Sequence, residues 1–190
     1  MKLGTILTLS GAIGSRRSEL ADKLSAKLRW PKVRFSDYIR ARIEEAGDDA
    51  NSRVLLQQFG QRLVQNHLMS FVEGVLAMAP EGWDQDGNLI VDGLRHVEVL
   101  LTLRKLARDA GDRDVFYVHV KPDPLERESG ARERGIEEQD MYRYDRALSE
   151  AQMNRILPAY ADLEVDGALG LSLNLQDIEE RLRARGDLAA

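Results

Sequence analysis

The sequence predicts an α/β protein built on a mainly parallel sheet with helices on both faces. Short, apolar, β-branched runs alternate with longer segments of helical period, and their spacing fits repeated strand-helix-strand units. No internal repeat or low-complexity linker interrupts that alternation. At 190 residues the chain suits one domain with a sizeable core, so residues 1–190 read as a single unit, with about 128–148 as a cover rather than a second domain.

The elements follow in order. Leu3 to Leu9 reads as a strand, Ser10 to Ser15 supplies turn residues, and Arg17 to Leu28 has a helical stripe of Leu20, Ala21, Leu24 and Leu28. A turn at Pro31 and a brief strand, Val33 to Phe35, come next. Ser36 or Asp37 can cap a helix reaching about Ala46, which Gly47-Asp48-Asp49 breaks. From Ser52 to Met78 the apolar positions keep one helical period, with Gly60 and Gly74 as bends or close-contact points. Pro80 to Gly87 is a surface loop.

Leu89 to Val91 is a compact strand ending in Asp92-Gly93-Leu94-Arg95, followed by a helix from Val97 to Ala110 and a strand from Val115 to Val120. Pro122 or Asp123 can start another helix, and a charged segment follows. The last signals are a helix near Ser149 to Leu157, a strand at Leu163 to Val165 and a helix from Asp177 to Arg185.

Composition narrows the chemistry. The chain has no cysteine, which excludes disulfides, thiolate nucleophiles and cysteine-ligated metals. His67, His96 and His119 are too isolated for an all-histidine metal centre, and each reads as structural. Catalysis must then use carboxylates, arginines, hydroxyls or backbone amides. The net charge of −5 gives no broad cationic footprint for nucleic acid or an anionic membrane. No apolar stretch approaches the roughly 20 residues of a spanning helix, and the first residues lack the order of a signal peptide, so the expected location is cytoplasmic. Of the 27 basic residues 21 are arginine, whose five-donor fork suits phosphate oxygens.

The most informative segment is Ser10-Gly11-Ala12-Ile13-Gly14-Ser15-Arg16-Arg17-Ser18, between the first strand and the first helix. A phosphate there would meet unsatisfied amides and the positive end of the helix dipole. Gly11 and Gly14 permit close approach, Arg17 adds charge, and the Ser18 hydroxyl can reach a magnesium ion. The plain alternative is a strand-to-helix turn with two exposed arginines.

This segment resembles the Walker A loop of the P-loop nucleoside and nucleotide monophosphate kinases, in a degenerate form. Gly11, Gly14 and Ser18 match the motif; Arg16 stands at its invariant glycine and Arg17 at its lysine. Further likeness is spread over the chain and is closest to the dephospho-CoA kinase-like and deoxynucleotide monophosphate kinase-like proteins. It implies a three-layer αβα fold with a five-stranded, mainly parallel sheet and a small helical lid. It also implies ATP or another nucleoside triphosphate as donor, with Mg2+.

In that likeness Gly11, Gly14, Ser15, Arg16, Arg17 and Ser18 would hold the donor. Phe35-Ser36-Asp37-Tyr38-Ile39-Arg40 falls where these kinases contact the acceptor: Asp37 would orient or deprotonate it, with a helix cap as the alternative, and Arg40 would bind phosphate. Arg53 and Gln57 share a helix face and resemble an acceptor-binding segment; Gln58 and Arg62 form a second i,i+4 pair, which leaves the pocket face open. At the third strand's end Asp92 would join Ser18 beside a metal, and Arg95 would hold the acceptor phosphate.

The run from Glu126 to Gly135 is similar to an arginine-bearing lid, so Arg127 and Arg132 would join Arg17 and Asp37 as catalytic residues, a solvated charged helix being the alternative. The resulting expectation is phosphoryl transfer from a nucleoside triphosphate to a (deoxy)nucleotide or related nucleoside-containing acceptor. The competing one is a catalytically inactive nucleotide-binding regulator or scaffold. The expected partner is a nucleotide or other small phosphorylated molecule; a second copy of the chain or a regulatory protein stays open.

Overall fold

Five parallel strands make one sheet, in the order β2-β3-β1-β4-β5, in a computed structural model that describes residues 4–12, 14–81, 83, 87–111, 113–123 and 148–188. The strands are β1 (Ile6–Gly11), β2 (Lys32–Arg34), β3 (Leu89–Leu94), β4 (Val115–Lys121) and β5 (Leu163–Asp166). β1 lies at the centre, buried along its length, and pairs with β3 on one side and β4 on the other. Parallel neighbours need crossover connections, and the helices between strands supply them.

The helices are α1 (Arg17–Leu28), α2 (Phe35–Glu45), α3 (Arg53–Asn66), α4 (Leu68–Leu76), α5 (Val97–Asp109), α6 (Leu148–Arg155) and α7 (Leu171–Ala184), with short 3-10 turns at Leu157–Tyr160 and Gly167–Leu169. Alternate residues along the strands feed two separate cores, as the two-residue period of a strand requires. Leu7 and Leu9 join Leu20, Leu24, Ile178 and Leu182 from α1 and α7 on one face. Ile6, Leu89, Val91 and Tyr117 join Phe71, Val72, Val75, Leu100 and Leu103 from α4 and α5 on the other. The result is the expected three-layer α/β architecture.

Several boundaries differ from the sequence expectation, each for a local reason. β1 starts three residues later and runs to Gly11, so the turn begins inside the loop glycine rather than at Ser10. α2 begins at Phe35 with Arg34 as its N-cap and no side-chain cap; Ser36 and Asp37 lie in the first turn, where the Asp37 carboxylate faces the helix dipole favourably. The expected helix from Ser52 to Met78 is two helices, broken at His67 (φ −140°, ψ 32°).

The break lies at neither glycine. Both glycines are close-contact points: a Cβ at Gly74 would come 2.4 Å from the Tyr38 ring, and one at Gly60 would come 3.1 Å from Ile39 Cδ1. α7 starts at Leu171, six residues before its expected first residue, because the buried Asn174 donates to the Asp166 carbonyl and ties the first turn to the end of β5. No described helix is long and apolar enough to cross a membrane.

Candidate functional site

The site begins where β1 leaves the sheet. Gly11 has no room for a side chain: a Cβ there would lie 2.7 Å from the Val120 carbonyl oxygen and 2.6 Å from Ser15 Oγ. Gly14 has φ 83°, and Arg16 has φ 54°, so the two together bend the chain into the start of α1. Arg16 therefore takes the left-handed backbone that a glycine adopts without cost, and its side chain turns outward to pair with Glu19 at 2.9 Å. The loop keeps its turn despite the arginine. Leu20 makes the first helical hydrogen bond, to the Arg16 carbonyl, so the preceding amides of α1 point out of its N-terminus. Ser15 is buried and its Oγ has no hydrogen-bond partner among the described residues.

Below the loop, at the carboxyl ends of β1 and β4, lies a closed polar triangle. Ser10 Oγ is 2.8 Å from the Tyr117 hydroxyl and 3.0 Å from His119 Nδ1, and those two are 3.1 Å apart. All three residues are buried. Burial pushes the Tyr117 phenol up from its ordinary range and pulls the His119 imidazole down.

Arg17 does not extend over the loop. Its Nε pairs with Asp92 Oδ1 at 2.7 Å, its Nη2 donates to Ser18 Oγ at 3.2 Å, and its Nη1 lies 3.4 Å from the Gly11 carbonyl oxygen. The Asp92 side chain is 3% exposed and that of Arg17 14%. The placement follows from β3: the pairing with β1 slips a residue at Gly93 (φ 100°), and Asp92 sits opposite Arg34 of β2. Asp92 thus lies between two guanidiniums, with Arg34 Nε 3.7 Å from its second oxygen. Arg34 and Lys32 also pair with Asp22.

Beside this pair opens a cavity of about 320 Å³. It gathers Arg40, Arg53, Gln57 and Arg95, four of the five residues expected on the acceptor side, together with Arg17 and Ser36. Asp37 is not among its lining residues; its carboxylate is 43% exposed and 3.7 Å from Arg40. Of the two pairs on α3, Arg53 and Gln57 border the cavity, whereas Gln58 and Arg62 are exposed and Arg62 lies over the Phe59 ring. Among the described residues no acidic side chain lines the cavity. Its apolar wall includes Phe35 and Phe71, whose centroids are 5.5 Å apart, with Leu56, Val64 and Val99.

Sequence reasoning missed several lining residues, His96, Gln61 and Phe71 among them. His96 follows Arg95 and is buried in the wall, and that burial lowers its pKa. Gln61 was legible as the next i+4 position after Gln57. Phe71 had only a core signal. Arg127 and Arg132, with the whole expected lid, lie outside the described residues.

The donor-loop residues fit phosphate oxygens, given the amides at the start of α1, the orphaned Ser15 hydroxyl and the absence of room for a side chain at Gly11. They do not fit magnesium as arranged. Ser18 and Asp92, the two residues expected at a metal, are both held by Arg17, and no group of three potential metal-ligating side chains occurs among the described residues.

No protein-family model matches the chain, and no curated protein does. Among solved structures it is similar to an APS kinase mutant of Mycobacterium tuberculosis, at 16% identity and a TM-score of 0.51, over 96% of this chain and 99% of that one. It is also similar to a shikimate kinase of Aquifex aeolicus, at 17% identity and a TM-score of 0.49, over 95% and 98%. The first likeness, together with the parallel five-stranded sheet, shows that the chain shares the overall fold of that structure.

Proposed function

We propose that the chain binds a phosphorylated, nucleoside-type acceptor in the cavity and transfers a phosphoryl group to it from a nucleoside triphosphate. The observation that supports this reading is the cavity itself. Arg40, Arg53 and Arg95 converge with Gln57 on a space walled by Phe35 and Phe71 and lined by no acid among the described residues, at the carboxyl ends of parallel strands where ligands of such folds bind. Arginine forks suit phosphate, and the aromatic wall suits a base or another flat apolar group.

In this reading Gly11, Gly14, Ser15, Arg16 and the first amides of α1 hold the donor phosphates, and the triphosphate supplies the transferred group when bound. Arg17 stands between loop and cavity, where it borders both. Arg95 and Arg53 orient the acceptor phosphate, and His96 forms part of the wall. Positioning and electrostatic stabilisation carry most of the catalysis in this reaction class. Asp37 keeps a supporting place beside Arg40. Arg127 and Arg132 are proposed to close over the site, and the cytoplasm remains the proposed location.

The test is a product assay on the purified chain with nucleoside monophosphates and dephospho-CoA as acceptors and ATP or GTP as donors. Product that falls at least about tenfold in Arg95→Ala and Arg53→Ala, with folding intact, supports the reading. No product from folded protein defeats transfer. The engagement of Arg17 by Asp92 favours the second reading, a nucleotide-binding regulator, which predicts binding of ATP by calorimetry without turnover.

A further inference from the structure

We infer that this chain binds the phosphates of its nucleotide without a divalent cation, the Arg17 guanidinium and its charged surroundings taking the place a metal would hold. The inference rests on the reading of the loop as a phosphate site. It goes beyond that reading because a magnesium-assisted nucleotide site is what the loop's likeness implies.

Three observations carry it. The two oxygen-bearing side chains placed to meet a metal are already engaged: Asp92 Oδ1 is ion-paired with Arg17 Nε at 2.7 Å and Ser18 Oγ accepts from Arg17 Nη2 at 3.2 Å. A cation approaching Asp92 would have to displace a guanidinium that is only 14% exposed. It would then stand near Arg34, whose Nε is 3.7 Å from the other Asp92 oxygen. Like charges at such distances repel, strongly so where water is excluded.

The local charge balance points the same way. The linked groups Arg17, Arg34 and Lys32 against Asp92 and Asp22 make three cations and two carboxylates, a net charge of +1. Arg40, Arg53 and Arg95 also line the cavity, Arg40 with the Asp37 carboxylate 3.7 Å away, and no acid lines it among the described residues. Such an environment attracts polyphosphate directly and disfavours a divalent ion. Asp92 acts here as a positioning residue: it fixes the Arg17 fork at the junction of loop and cavity instead of ligating metal. A planar fork can be anchored through Nε and still present other N–H groups, which a lysine cannot do.

The experiment is calorimetric titration of the full chain with ATP and, independently of any base preference, with inorganic triphosphate, in EDTA and in excess magnesium. The expected result is ATP dissociation constants that agree within about threefold between the two conditions, with measurable triphosphate binding in EDTA. Arg17→Ala is expected to weaken ATP binding in EDTA by at least about tenfold, and Arg17→Lys to recover only part of that loss. Asp92→Asn, where circular dichroism shows it folded, loosens the Arg17 fork and is expected to weaken ATP binding by the same factor in EDTA and in excess magnesium.

Binding that strengthens more than about tenfold on adding magnesium, in the wild-type chain that needs no variant to be informative, overturns the inference while leaving the phosphate site standing. An Asp92→Asn chain that loses a magnesium enhancement present in wild type overturns it as well. Failure to bind ATP in either condition overturns the inference and the donor-site reading together.

Discussion

Arg16 is held in the left-handed region with no side-chain cap for α1, and the pairing of its side chain with Glu19 is exposed on both sides. The backbone cost of such a residue is about 1–2 kcal/mol, and an exposed ion pair returns little of it. Arg16→Gly is therefore expected to leave the loop in place and to change stability by no more than about 1 kcal/mol in the stabilising direction, the gain being offset by glycine's unfolded-state entropy. Urea denaturation checks it, and a marked loss of stability would show that the Arg16 side chain supports the loop in a way its exposure hides.

His96 and His119 set a second expectation at the residue scale, this one on pH. Both are buried and burial lowers both pKa values, so below about pH 6.5 the unfolded chain takes up protons that the native chain resists. More protons bound in the unfolded state means that stability rises with pH across this window. Stability is thus expected to fall on acidification from pH 7 toward pH 5, with a slope of up to about 1.4 kcal/mol per pH unit for each histidine. His119→Asn keeps a polar group beside Ser10 and Tyr117 and should flatten that slope; an unchanged slope in the variant would remove His119 from the account.

At the scale of elements, α4 depends on the absence of a side chain at Gly74. Tyr38 of α2 lies directly over that position and also packs against Phe71, with ring centroids 5.6 Å apart. Gly74→Ala forces the Tyr38 ring or α4 to move. Overpacking of this kind costs about 1–3 kcal/mol, and because Phe71 also walls the cavity, weaker ligand binding is expected alongside the lower melting temperature. Restored stability in a Gly74→Ala, Tyr38→Leu double variant would tie the cost to that contact.

The elements also show what the sequence could reveal. The core strands and α1 were legible because apolar runs and the Leu20, Leu24 stripe are local patterns that burial then confirms. The break at His67 was not, since the apolar period continues across it and only the close seat of α4 on Tyr38 and Phe35 decides the new direction. The start of α7 was hidden by Leu171-Ser172-Leu173-Asn174-Leu175, whose two-residue alternation looks like a strand. Among the expected site residues, Arg40, Arg53, Gln57 and Arg95 were named through the resemblance to the nucleotide kinases, and all four line the cavity. The folding back of Arg17 onto Asp92 was not legible, because it needs two segments 75 positions apart in the sequence to be placed side by side by β1 and β3.

Across the whole molecule, burial is distributed unevenly, and that sets a last expectation. β1 is buried along its whole length, as are Leu89 to Asp92 of β3 and Val115 to Val120 of β4, whereas α3 has Gly60 as its one buried residue over Arg53–Asn66. α3 nonetheless supplies Arg53, Leu56, Gln57, Gly60, Gln61 and Val64 to the cavity. The wall proposed to meet the ligand is thus a helix with little burial, and local opening is cheapest where few apolar contacts are lost. Amides of α3 are expected to exchange with deuterium well before those of β1 and β4. A ligand that bridges Arg53 of α3 and Arg95 at the end of β3 binds the closed form, and at a hundred times its dissociation constant it adds about 2.7 kcal/mol to the opening free energy of that wall. Hydrogen exchange with and without a saturating nucleoside monophosphate should therefore slow α3 by about a hundredfold while leaving the central strands little changed below the global unfolding limit. Uniform slowing of all elements would mean that α3 opens only with the whole domain, and no slowing in α3 under conditions where calorimetry shows binding would place the ligand outside the cavity.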